Sequence, residues 1–194
     1  MCLSTSTLGA PGSALGSASG VVVRYAGELD NAVINGTSAI WAPNSSFVGG
    51  TSTTSLSTVS DELQLNGSST ASNTITFGTP VVNPLIAIWS LGQPGAPASF
   101  TFDHVPTLQA GGPNSFFGGA SLTVAGNTVS GVEGNGVVQF TGTFSSISWT
   151  DTFENFYAFT VGINGVNAGV PEPATLTLLA LGLAGVGLGR RKQP

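Results

Sequence analysis

Apolar and polar residues alternate along much of the chain with a period of two, the spacing that puts every second side chain on one face of a β-strand. The first such run is residues 21–25 (VVVRY). Residues 73–77 (NTITF) place Ile75 and Phe77 together, and residues 98–103 (ASFTFD) turn Phe100 and Phe102 inward. Residues 156–163 (FYAFTVGI) align Tyr157, Phe159, Val161 and Ile163. Residues 84–91 (PLIAIWSL) are apolar on both faces, Leu85, Ala87 and Trp89 on one and Ile86 and Ile88 on the other. That pattern predicts a central strand covered on both sides.

Turn signals separate these runs. Asn35-Gly36 and Asn66-Gly67 are pairs favoured in type I′ turns. Ala125-Gly126-Asn127 predicts a short hairpin, and residues 137–140 and 143–149 are expected to pair around Gly142. Residues 44–60, dominated by Ser, Thr and Gly, read as loop or weak edge strand. No helical period precedes residue 174. The pattern predicts an all-β domain over residues 21–163, an antiparallel β-sandwich of jelly-roll type. Residues 1–20 are low-complexity and uncharged, and read as a flexible leader.

Composition narrows the function classes. Charged residues make up 7% of the chain, against roughly 25% in an ordinary soluble domain. Hydrophobic content of 41% argues against disorder. Arg24 is the only cation before residue 169, against eight carboxylates. Nucleic-acid binding needs cations to neutralise phosphates, so a polynucleotide partner is set aside. The single cysteine, Cys2, allows no intramolecular disulfide, and no apolar stretch precedes it to direct lipidation.

The C-terminal end changes character. A linker, residues 164–170, leads to Pro171-Glu172-Pro173, then sixteen uncharged residues (174–189), then Arg190-Arg191-Lys192. Two prolines bias the tripeptide towards extended or turn geometry. As a single hydrophobic helix, residues 174–189 would span roughly 24 Å at about 1.5 Å per residue, short of a hydrocarbon core of roughly 30 Å. The run is expected to cross marginally. The basic cluster would stay cytoplasmic by the positive-inside rule, leaving the β-domain on the far side.

The tripeptide, short apolar span and terminal basic cluster, in that order over residues 170–193, resemble the PEP-CTERM sorting signal of Gram-negative bacteria. The resemblance implies a secreted protein recognised through Pro171, Glu172 and Pro173. It implies cleavage near them by an integral-membrane exosortase, and a link to exopolysaccharide and biofilm matrix. It also implies export, transient anchoring in the inner membrane, then residence at the cell surface or outside the cell. Members are expected to carry an N-terminal signal peptide. Residues 1–20 hold neither a basic n-region nor an apolar h-region, so the natural reading frame is expected to extend upstream of Met1.

Catalytic chemistry finds little support in the residues. A Ser-His-Asp site must use His104, the only histidine, and Asp103 beside it would point to the opposite face of a strand. One histidine and one cysteine cannot form a zinc cluster. Glu133, Asp151 and Glu154 sit near predicted turns and read first as solvated acids. Weaker readings are a Ca²⁺ site or a glycosidase pair. Asp61-Glu62 reads as a solvated turn, and no cofactor is expected. Trp89 is expected in the core, and Trp149 ends a strand and is open to either reading. Phe116-Phe117, in a glycine-rich loop, either tuck under the sandwich edge or form a ligand platform with Trp149.

The leading expectation is an exported, non-catalytic surface or matrix protein. A carbohydrate-binding module on the same scaffold is the alternative, and an enzyme of unrecognised type comes third.

Overall fold

The computed structural model describes residues 1–35, 39–53, 56, 61–68 and 70–166. They open with β1 (Cys2–Thr7), β2 (Gly9–Ala18), β3 (Val21–Leu29), β4 (Asn31–Val33) and β5 (Glu62–Leu65). β6 (Asn73–Leu91), β7 (Ala98–Phe102), β8 (Pro106–Gly111), β9 (Ala120–Ser121) and β10 (Thr123–Ala125) follow. β11 (Thr128–Gly131), β12 (Gly134–Phe140), β13 (Thr143–Asp151) and β14 (Tyr157–Val166) complete the sheet. All pairings among them are antiparallel except that of β9 with β12.

β6 organises everything else. The alternating run at 73–77 and the doubly apolar run at 84–91 are one strand of 19 residues. Its first half pairs with β3 and β13, Ile75 lying opposite both Tyr25 and Ile147. Its second half pairs with β14 and β12, Ala87 lying opposite both Thr160 and Val137. Between the halves stands Asn83, with a φ of 51°. Asn tolerates this left-handed region better than most residues. The Asn83 N–H donates to the Gly142 carbonyl at 2.8 Å, and Asn83 Oδ1 accepts the Gly142 N–H at 2.9 Å.

Two arms of the sheet therefore spring from one strand. The first runs β1-β2-β3-β6-β13-β7-β11-β10, and the second joins β8, β12, β6, β14, β5 and β4. Their inward side chains build a single core. Trp149 and Tyr25 of the first arm meet Phe159 of the second at 5.2 and 5.3 Å between ring centroids, and Phe102 meets Phe140 at 5.0 Å. Burying each such ring contributes about 2–3 kcal/mol.

The two-faced reading of residues 84–91 holds. Ile86 and Ile88 enter this core, while Leu85, Ala87 and Trp89 join a smaller one with Trp41, Phe47, Val137 and Ala158. Trp41 and Phe47 belong to the stretch that carries two short 3₁₀ turns, Ala39–Trp41 and Asn44–Ser46.

Four expectations are corrected. Residues 1–20 are no flexible leader, because Cys2–Thr7 and Gly9–Ala18 pair with each other and extend the first arm from β3. The inward positions of β2 are Gly12, Ala14, Gly16 and Ala18, and a Cβ at Gly16 would lie 2.4 Å from the Cys2 carbonyl oxygen. Small residues let β1 approach. Residues 137–140 and 143–149 do not pair, since β12 joins the second arm and β13 the first, with Gly142 carrying the chain between them. β7 stops at Phe102, one residue early. The linker begins later than expected, as β14 continues to Val166.

The predicted hairpin is present, with Ala125 opposite Thr128 and Gly126 at a φ of 60°. Gly36 lies outside the described residues, as do 167–194, which hold the expected helix 174–189. Among the described residues no helix is long and apolar enough to cross a membrane.

Candidate functional site

The phase of β6 places Asn73 on the inward face with Ile75 and Phe77, so the core ends there in a polar cluster. Asn73 Nδ2 donates to Asp151 Oδ2 at 3.1 Å, and the Tyr157 hydroxyl donates to the same oxygen at 2.8 Å. Asn73 Oδ1 accepts from the Tyr25 hydroxyl at 2.6 Å and from the Glu28 N–H at 2.9 Å. Glu28 is buried, its Oε1 taking the N–H of Asn66 at 3.1 Å. Asp151 Oδ1 is buried without a partner.

Burial pushes the Asp151 carboxyl up to about 6, against the bonds from Tyr157 and Asn73 and with help from the Glu28 charge. Burial likewise raises the hydroxyls of Tyr25 and Tyr157, the Asp151 charge adding to it. A polar residue in the inward phase of an apolar run was the available signal for this cluster, and the sequence reading passed over it.

A second acidic pair meets around Gly92. Glu154, buried, accepts the Gly92 N–H at 2.7 Å, and the Glu133 N–H donates to the Gly92 carbonyl at 2.6 Å. The Ser90 hydroxyl donates to Glu133 Oε2 at 2.5 Å. Burial pushes Glu154 up to about 7, opposed by its bond from Gly92 and reinforced by the Glu133 charge. The expectation of solvated acids is thus corrected for Glu154, and for Asp61 and Glu62, which are also buried. Asp61 Oδ2 accepts the Leu3 N–H at 2.5 Å, and Glu62 accepts from the Gln64 side chain. Among the described residues no group of three or more His, Cys, Asp or Glu side chains could hold a metal ion. Asp151 shares no hydrogen bond with Glu133 or Glu154, though the Tyr157 hydroxyl bonded to it also feels the Glu154 charge.

These raised carboxyls give the domain a signed pH dependence. The folded state binds both protons more tightly than the unfolded chain, whose carboxyls titrate near 4. Stability is therefore gained as pH falls through about 7 and 6, and lost as it rises. Burial of the Met1 amine, which lowers its pKa, acts the other way as pH falls below about 8, so the carboxyl contribution is read as a difference: Asp151→Asn should reduce the gain in Tm between pH 8 and pH 5 relative to the unaltered protein. An identical pH dependence in the two proteins would remove Asp151 from it. Scanning calorimetry reads it directly.

The aromatics divide cleanly. Trp149 is 2% exposed and lies in the main core, stacked on Phe100 at 5.7 Å, so it belongs to no platform. Phe116 and Phe117 are 56% and 58% exposed, and do not tuck under the edge. Their loop sits over Trp89, which Phe117 meets stacked at 5.3 Å and Phe116 edge-on at 6.3 Å.

His104 and Asp103 also differ from expectation. With β7 ending at Phe102 both fall in a bend, and their side chains approach to 3.9 Å at the surface. The strand geometry that would have kept them apart is absent.

β14 carries the chain out of the domain. Ile163 lies opposite Pro84, and Val166, its last residue, lies opposite Val81 near the kink in β6. Three residues further on begins a stretch, residues 169–192, that matches the PEP-CTERM protein-sorting motif. The chain carries a PEP-CTERM sorting motif. The motif implies an exported protein processed at the membrane by an exosortase. Pro171, Glu172, Pro173, Arg190, Arg191 and Lys192 all fall within it, outside the described residues. Comparison with curated proteins and with solved structures finds no match for the chain.

Proposed function

We propose that this chain is a non-catalytic matrix or surface protein, a β-sandwich held at the inner membrane through residues 174–189 and released by cleavage near Pro171-Glu172-Pro173. The observation that carries the reading is the sorting motif beginning directly after a strand integral to the sheet. From Val166 to Pro171 an extended chain covers at most roughly 17 Å. The middle of β6, around Val81 and Asn83, therefore stays close to the bilayer until cleavage. The basic residues 190–192 hold the cytoplasmic end, and release delivers the domain to the surface or to an exopolysaccharide matrix.

Replacing Pro171, Glu172 and Pro173 with alanine is expected to leave the protein uncleaved and in the membrane fraction. Mass spectrometry of the C-terminus of released native protein should end near the tripeptide. Normal release of the alanine variant would remove the tripeptide from the mechanism.

A second reading, carbohydrate binding by the same scaffold, is favoured by the exposure of Phe116 and Phe117 over a buried tryptophan.

A further inference from the structure

The geometry points to the outer face of Phe117, which lies nearly parallel to Trp89, with the steeply inclined ring of Phe116 beside it, as a shelf for one pyranose ring of a neutral polysaccharide, an inference that rests on the carbohydrate-binding reading. The loop bearing the two rings is pinned from below. Asn114 Nδ2 donates to the carbonyls of Ile40 at 2.5 Å and Ala42 at 2.7 Å, and Asn114 Oδ1 accepts the Phe116 N–H at 2.7 Å. The Ser115 N–H donates to the Ala42 carbonyl at 3.0 Å, and Asn114 and Gly118 exchange backbone bonds. The rings are thus held out by hydrogen bonds rather than by a loose loop. Trp89, 3% exposed, backs both, and Phe156 braces it from another side at 5.2 Å. Little ordering remains to be done on binding, which is the advantage of a preorganised site.

Size selects the occupant. Two phenylalanines a little over half exposed offer roughly 200 Å², whereas a standard protein interface takes about 800 Å² from each partner. The shelf is too small for a second copy of the chain and fits the face of one sugar ring. The axial C–H bonds of a pyranose carry partial positive charge and meet the negative face of an aromatic ring.

Charge selects further. The loop runs on through Gly119, where a Cβ would lie 1.9 Å from the Glu133 carbonyl oxygen, so the backbone of Glu133 packs against the end of the loop. Arg24, the only Lys or Arg among the described residues, lies in β3 on the other arm of the sheet. An anionic polymer therefore finds no Lys or Arg of the described residues to pair with in this loop, and a neutral one needs none.

The test is affinity electrophoresis of the full-length chain in a polyoxyethylene detergent, through native gels containing hydroxyethyl cellulose, dextran or alginate. Retardation is expected in at least one neutral gel and not in alginate. Phe116→Ala/Phe117→Ala should abolish it, and Phe116→Trp/Phe117→Trp should keep it. No retardation in either neutral gel overturns the proposal, as does undiminished retardation of the alanine variant or its loss in the tryptophan variant. A native protein that elutes as a dimer while the alanine variant elutes as a monomer would assign the shelf to self-association instead. Cleavage at the tripeptide is read separately, so failure here leaves the sorting reading standing.

Discussion

A chain lacking residues 1–20 is expected not to fold. Without β1 and β2, β3 becomes an edge strand along the whole row from Val21 to Leu29 that β2 now pairs. The deletion removes Leu3, Ala14 and Ala18 from the core and uncovers Val21, Val23 and Tyr25, which are buried in the intact domain. It also leaves Asp61 buried without the Leu3 N–H, one of its bonds. Unfolding free energies of single domains amount to about 5–15 kcal/mol, and losing two strands removes a comparable sum. An open apolar edge of this length further invites association between copies. Far-UV circular dichroism and gel filtration of the shortened chain measure the outcome. A monomer with a cooperative transition at the native Tm would mean that these strands contribute nothing.

Trp149→Ala is expected to cost about 3–5 kcal/mol, the usual range for removing a large buried aromatic. The ring touches Tyr25, Phe100, Phe102 and Phe159, so its loss opens a void between both arms of the sheet. Its indole Nε1 is buried with no hydrogen-bond partner. An unpaired buried donor is itself unfavourable, so Trp149→Phe should cost clearly less than the alanine change. Urea unfolding of the two variants separates these costs. Equal losses would mean that a phenylalanine ring does not fill the space between the two arms.

The strands with strong apolar contrast were legible in the sequence, and those built from small residues were not. Phe100 and Phe102, or Tyr157 and Phe159, announce an inward face because large rings alternate with polar residues. β2 alternates just as strictly in burial, but its inward positions are Gly12, Ala14, Gly16 and Ala18 while the bulkier Leu15 lies between them, so the sequence carries no apolar contrast to mark the inward face. The doubly apolar character of residues 84–91 predicted two separate coverings, and two cores are found. The partner of β12 could not be read, because Gly142 serves a crossing between arms as readily as a hairpin. Buried carboxylates escaped for a related reason. Glu28 and Glu154 look like surface residues until the backbone donors of Asn66 and Gly92, distant in sequence, are brought to them. The exposure of Phe116 and Phe117 was one of two readings, decided by the hydrogen bonds of Asn114 beneath them.

The kinked strand β6 has a kinetic consequence. Its partners come from both sides of it in the chain, and one cross-strand contact, Thr74 with Ser148, joins residues 74 apart. Such distant pairings must close long loops before they return any stabilisation, and sheets built this way fold slowly. Neither arm can be finished until β13 and β14 have been synthesised, and β14 ends just before the sorting motif. A polypeptide emerging from the ribosome therefore stays open until β14 has been made. That delay suits a protein that must be threaded across a membrane before it folds.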